Sequence, residues 1–224
     1  MKRRDFLISL PIAATSVPSV RLAFVTTSEH RYPIEVRPDR IVIGAASDKR
    51  NAKKRMLREA TLQEAVDIAS KASLPLEIRP GIYRAEELAI EAPLSLWGTP
   101  GKTIIESGAR GAMTLDIRPR EKETRLSAVS ISGLVFRGMS LAHAKTIDPA
   151  ERPIHTLPHA PKHFNGLVTA YCVDRLAIRD CVFDGASGTA IGLWRCREAE
   201  ITNNEIKHSS VALFSYAGRG NVFA

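Results

Sequence analysis

The side chains best suited to chemistry lie in the second half of the 224-residue chain. Between Met139 and Phe164 fall His143, Asp148, Glu151, His155, His159 and His163. The spacing His155-x3-His159-x3-His163 would align three imidazoles on one helix face, which suits metal ligation or a general base. Pro158 and Pro161 interrupt the helix such a face requires, and on an extended chain His155 and His163 stand too far apart to share one ion. No metal set is assigned. The three histidines are kept as candidate ligands, with His163 also a candidate catalytic residue, and a surface loop is the plainer account of the stretch. Arg179, Asp180 and Asp184 form an acid–base group on a strand–turn–strand segment, where proton transfer competes with simple turn solvation and backbone bonding. Cys172, Cys181 and Cys196 have neither C-x-x-C spacing nor the density of a disulfide scaffold, and their apolar neighbours mark them as small buried hydrophobes, one bridge being open to them after export.

Elements able to position these residues follow from periodicity. Thr61-Leu62-Gln63-Glu64 has capping-box order, and Leu62, Ala65, Val66 and Ala69 follow at helical spacing, which predicts one amphipathic helix over 61–72. Beyond it the period changes to two, with short runs at Leu76–Ile78, Pro80–Tyr83, Leu88–Ile90, Leu94–Trp97 and Thr103–Ile105, and no further helices to connect them as ordinary crossovers.

Self-similarity shows what these strands pair with. Leu176–Phe183 aligns on Ala199–Ile206 at an offset of 23, with Ile178 on Ile201 and Phe183 on Ile206, and Val129–Phe136 fits the same template two periods upstream. Val168–Tyr171 aligns on Ile191–Trp194 at the same offset, and Ala199 on Val222. One such unit cannot bury its own apolar side chains; stacked copies about 4.8 Å apart pair each strand with its equivalents above and below. The expected fold is therefore all-β, a parallel β-solenoid with an N-terminal capping α-helix. Asn203 and Asn204 suit the left-handed and side-chain-bonded positions of a corner. If Val168, Ala170, Ile191 and Leu193 point inward, then Thr169, Tyr171, Gly192 and Trp194 point outward, joined by Ser215 and Ala217 one coil later. Tyr171 and Trp194 would then form an aromatic strip able to carry sugar rings; the opposite parity would make them an internal stack. No acid falls on these outward positions.

Charge and the N-terminus indicate an address. Residues 1–58 hold 13 basic and 5 acidic residues, so the net charge of +8 lies entirely there and the remaining 166 residues are neutral. A neutral body argues against nucleic acid as a partner. Lys2-Arg3-Arg4-Asp5-Phe6-Leu7 followed by a short apolar run has secretory-signal architecture, and Arg3, Arg4, Phe6 and Leu7 resemble the twin-arginine (Tat) translocation motif. The run is too short and proline-broken to span a membrane.

Helix, then Ile78-Arg-Pro-Gly-Ile-Tyr83, Leu94-Ser-Leu-Trp-Gly98 and repeats with an Asn-Asn turn resemble the right-handed parallel β-helix of the pectate-lyase-like superfamily. With the leader, the chain resembles the bacterial family of Tat-translocated repetitive proteins, whose function is unassigned. The resemblance implies a signal segment over 1–23, a basic, partly disordered connector over 24–58, and a β-helix over 59–224 that is C-terminally incomplete. It implies export through the Tat translocase to the periplasm or medium, as a monomer without a stable membrane span. It further implies binding of, or action on, extracellular or envelope polysaccharide, with a non-catalytic glycan-binding or structural module as the alternative. Any enzyme would be lyase- or hydrolase-like; no cofactor is evident, and Ca²⁺ enters through the superfamily alone. The paired aspartates, His-Gly and Arg-Ile-Lys elements of the polygalacturonase type are missing from the sequence.

Overall fold

The computed structural model describes residues 30–44, 58–85, 88–107, 114–121, 124–138, 166–186 and 188–224. The chain enters through β1 (Tyr32–Val36), β2 (Ile41–Ile43), β3 (Arg58–Ala60) and α1 (Leu62–Ala72). Coils follow, each adding one strand to each of three sheets: β4 (Leu76–Ile78), β5 (Gly81–Ala85) and β6 (Leu88–Ile90); then β7 (Leu94–Trp97), β8 (Thr103–Ser107) and β9 (Leu115–Ile117). The next are β10 (Leu126–Ser132), β11 (Val135–Arg137) and β12 (Gly166–Tyr171), then β13 (Val173–Arg179), β14 (Val182–Asp184) and β15 (Thr189–Trp194). The last full coil is β16 (Glu200–Thr202), β17 (Glu205–Lys207) and β18 (Val211–Tyr216), and β19 (Val222–Phe223) begins another. Sheet A takes the first strand of each coil, sheet B the second and sheet C the third, all pairing in parallel. The architecture is a right-handed parallel β-helix with one capping helix.

Like residues stack through its interior. In sheet A the ladder runs Ile41, Leu76, Leu96, Ile131, Ile178, Ile201 and Phe223, so the Ile178–Ile201 rung is present, with Ile178 fully buried. In sheet B it runs Tyr83, Ile105, Phe136, Phe183 and Ile206, with the Phe136 and Phe183 rings stacked at 5.2 Å and 13°. Such a ring pair adds about 0.5–1.5 kcal/mol beyond its burial. Left-handed residues recur at the corners: Gly133, Asp180 and Asn203 between sheets A and B, and Cys172, Arg195 and Ala217 between C and A. Asn204 behaves as its turn position predicts: its Oδ1 accepts from Cys181 N at 3.0 Å and its Nδ2 donates to Ile178 O at 2.9 Å.

The first coil is closed by α1. Thr61 Oγ1 accepts from Glu64 N at 3.1 Å and Glu64 Oε2 accepts from Thr61 N at 2.9 Å, which sets the helix start. Leu62, Ala65, Val66 and Ala69 are buried, and a side chain covers the open edge of sheet C: Gln63 Oε1 accepts from Ala89 N at 2.8 Å and its Nε2 donates to Ala89 O at 3.1 Å. The amide thus stands where a further strand would pair.

Within the basic connector, the apolar run Ile34, Val36 and Ile41–Ile43 suits short strands, and strands stand there: Ile34 and Ile41–Ile43 are buried, β2 pairs with β4 in parallel, and β1 pairs antiparallel with β2 and β3. These Ile and Val residues have apolar surface to bury, which an isolated linker would leave in water. One expectation is revised: Val222 pairs with Glu200 rather than Ala199. The turn from β17 to β18 is one residue shorter than that from β14 to β15, so the offset falls from 23 to 22: Thr189 pairs with Val211 and Trp194 with Tyr216. The three cysteines are free and buried, with no bridge among them.

Candidate functional site

The outward face of sheet C gathers the distinctive side chains. Val168, Ala170, Ile191 and Leu193 belong to the core, which places Thr169, Tyr171, Gly192 and Trp194 on the opposite parity, one of the two alternatives the sequence left open. Tyr171, Trp194 and Tyr216 are register equivalents on β12, β15 and β18. The shortened turn corrects the last rung, where Phe214 and Tyr216 stand in place of the expected Ser215 and Ala217. Trp194 lies 5.1 Å from Phe214 and 5.4 Å from Tyr216 between ring centroids, tilted by 48° and 49°. It is only 5% exposed, whereas Tyr216 is 57% exposed. Trp194 is therefore the support of the cluster, and Tyr216 presents its free surface.

The same face carries an acid that sequence reasoning missed. Asp116 on β9 aligns with Thr169 on β12 and, through it, with Gly192 and Phe214. Its carboxylate is fully buried, with Arg118 Nε 3.1 Å from Oδ2. Thr169 is buried beside it, its hydroxyl accepting from Gly166 N at 2.9 Å. The signal was the apolar–x–apolar run Leu115-Asp116-Ile117, but the insertion before β12 separates Asp116 from Thr169 by 53 residues, which hides the register. A guanidinium at this distance favours the charged form of the carboxylate.

The expected acid–base group does not assemble. Arg179 ends β13 and its Nη2 lies 3.5 Å from Glu200; Asp180 occupies a left-handed corner with φ 55°. Asp184 ends β14, and its Oδ1 lies 2.7 Å from Nδ1 of His208, a residue the sequence reading did not select. Asp184 also completes an outward ladder on sheet B of alternating sign: Arg84, Glu106, Arg137, Asp184 and Lys207. Within it Arg137 Nη1 lies 2.9 Å from Glu106 and Arg84 Nε 3.8 Å. Cross-strand charge pairing accounts for Asp184 without catalysis. His155, His159 and His163 lie outside the described residues, as do Arg3, Arg4, Phe6 and Leu7. Among the described residues no group of three or more His, Cys, Asp or Glu could hold a metal ion, and no helix is long and apolar enough to cross a membrane.

No protein-family model matches the chain, and no curated protein matches it. Solved structures do. A putative glycosyl hydrolase from Parabacteroides merdae ATCC 43184 superposes with a TM-score of 0.53 at 12% identity, covering 71% of this chain and 72% of that one. The A-module of the mannuronan C-5 epimerase AlgE4 from Azotobacter vinelandii gives a TM-score of 0.40 at 15% identity, over 71% of this chain and 53% of that one. At 12% identity what the Parabacteroides protein shares with this chain is the fold, which agrees with the parallel β-helix read from the repeat.

Proposed function

We propose that this chain is an exported β-helix protein that binds polysaccharide along the outward face of sheet C. The observation that carries the reading is the in-register aromatic ladder Tyr171–Trp194–Tyr216 with Phe214 beside it. Sugar rings present apolar C–H faces, and the exposed Tyr216 ring, backed by the buried Trp194 with Phe214 beside it, offers them a stacking surface. The glycosyl hydrolase name of the Parabacteroides protein supports a carbohydrate ligand. Export rests on the Arg3-Arg4-Asp5-Phe6-Leu7 leader. A second reading, cleavage rather than binding, is favoured by Asp116 and Arg118 on the same face.

Affinity electrophoresis of the full chain in gels cast with different soluble polysaccharides tests the binding. Retardation by at least one glycan, abolished by Tyr216→Ala, is the expected result; unchanged mobility in every gel would sink the reading. Release of reducing ends or unsaturated product, lost in Asp116→Asn, would convert the module into an enzyme.

A further inference from the structure

Sheet B carries two outward columns. Its inward positions are Tyr83, Ile105, Phe136, Phe183 and Ile206, so strand alternation turns the residues on either side of each outward. The first column is Ile82, Ile104, Val135 and Val182, one β-branched residue per coil, and it stops at Glu205. Ile82 is 56% exposed and Val135 8%, with Ile104 and Val182 between them. The second column is Arg84, Glu106, Arg137 and Asp184, followed by Lys207. Within the chain Glu106 is shared by Arg84 at 3.8 Å and Arg137 at 2.9 Å, Asp184 meets His208 at 2.7 Å, and Lys207 is taken by Glu205 at 2.8 Å.

The four rungs that hold an apolar residue in the first column therefore read positive, negative, positive, negative in the second. Such a series is its own complement when reversed. Turned through 180° about an axis along the strands, a second copy sets Arg84 opposite Asp184 and Glu106 opposite Arg137, then the same pairs again with the copies exchanged. An axis in that direction keeps each column facing itself, so Ile82 meets Val182 and Ile104 meets Val135. A fifth alternating rung would set like charges together, and the fifth rung instead closes on itself through Lys207 and Glu205, where the apolar column stops. Two basic and two acidic residues give the four rungs no net charge, so a partner of one sign gains nothing there, whereas a copy of the face satisfies all four. We propose that sheet B docks a second copy of this chain, the two β-helices lying side by side with antiparallel axes about a two-fold axis midway between β8 and β11. The contact leaves the outward face of sheet C out of it and is independent of the glycan reading, and it departs from the monomer that the family resemblance implies. Four rungs about 4.8 Å apart make a footprint smaller than the roughly 800 Å² per partner of a standard interface, so the association is weak and concentration-dependent.

A cysteine pair tests the geometry in the full chain. Ile82→Cys and Val182→Cys stand three rungs apart within one chain, about 14 Å, too far for a disulfide, but face each other across the two-fold axis. With a thiol cross-linker shorter than that gap, the double variant should give a covalent dimer whose linked peptides contain positions 82 and 182. Either single variant should stay monomeric, Cys172, Cys181 and Cys196 being buried. Sedimentation of the native chain should show dimer forming as its concentration approaches about 1 mM. Arg137→Glu sets like charges face to face twice about the axis and should weaken the dimer by about tenfold or more. Adding Glu106→Arg restores every pair across the axis while breaking the alternation within the chain, so the dimer should return, which a ladder serving the single chain alone would not produce. A native chain that stays monomeric at about 1 mM overturns the proposal, as does a dimer that the cysteine pair fails to trap or that Arg137→Glu leaves unchanged. A folded Glu106→Arg, Arg137→Glu variant that remains monomeric overturns it too, and if that variant fails to fold the cross-link decides.

Discussion

Two outer surfaces built by the same repeat handle charge differently. On sheet B the outward ladder alternates Arg84, Glu106, Arg137, Asp184 and Lys207, so each coil neutralises the one below. At the corner beside sheet C the equivalent positions pass from Asp174 to Arg197 to Arg219, so one opposite-sign step is followed by a like-sign one. Both surfaces hang on one interior. The difference teaches that in a β-helix the structural job belongs to inward rungs, and an outward rung need not neutralise its neighbour for the coils to stack. The largest test of this division is therefore an inward one. Ile178→Asp places a charge in a fully buried rung, costs several kcal/mol, and should abolish cooperative thermal unfolding of both surfaces together. Circular dichroism melting checks it, and the same change at the exposed Phe223 should cost far less.

The aromatic platform comes next in size. Trp194 is buried among outward rings and Tyr216 is not, so the two should part company under truncation. Trp194→Ala should cost about 3 kcal/mol of stability and the binding as well. Tyr216→Ala should leave the melting temperature nearly unchanged while removing glycan retardation. Equal destabilisation by the two would mean that Tyr216 is structural, and the surface would lose its claim to be a platform.

Much of this could be read from the sequence because a solenoid writes its contacts at a fixed spacing. The Ile178–Ile201 and Phe183–Ile206 rungs, the register of Tyr171 on Trp194, the capping box at Thr61 and the Asn204 corner all follow from offsets and turn chemistry, whereas the parity of that aromatic pair does not. What escaped did so where the spacing changes. One residue lost between Lys207 and Val211 moved the last aromatic rung onto Phe214 and Tyr216, and the insertion ahead of β12 hid Asp116. The arginine corner escaped for another reason: a body with zero net charge says nothing about where its charges cancel, and cancellation is a property of register.

Thiol ionisation probes the corners themselves. Burial pushes the Cys181 thiol, behind the Asn204 turn, and the Cys196 thiol, behind the arginines, up to about 11 from an ordinary 9.0. The unfolded chain therefore ionises first, so their contribution is complete below about pH 9 and is lost as pH climbs toward 11, by about 2–3 kcal/mol per thiol. Chemical denaturation as a function of pH should show that decline in the native protein and a flatter one in a Cys181→Ala, Cys196→Ala variant. Because burial is the leading cause at both sites, the two single variants should flatten the curve about equally. A much smaller effect at Cys196 would show the arginine corner favouring its thiolate.

The smallest expected effect is on sheet B, and it completes the contrast. Glu106 sits between Arg84 and Arg137, with side-chain exposures of 26%, 63% and 44% respectively. Exposed pairs of this kind contribute about 0.2–1 kcal/mol each, so Glu106→Gln should lower stability by about 1 kcal/mol or less. The variant also leaves two arginines facing each other across a gap, which added salt relieves. Its deficit should therefore shrink as salt rises, whereas an Arg195→Gln, Arg197→Gln, Arg219→Gln variant should be as stable as the native protein, because the Arg197–Arg219 repulsion it removes offsets the Asp174–Arg197 attraction it removes. If that triple variant were instead destabilised, the corner arginines would be doing the structural work of the sheet B ladder, and the distinction between the two surfaces would fail.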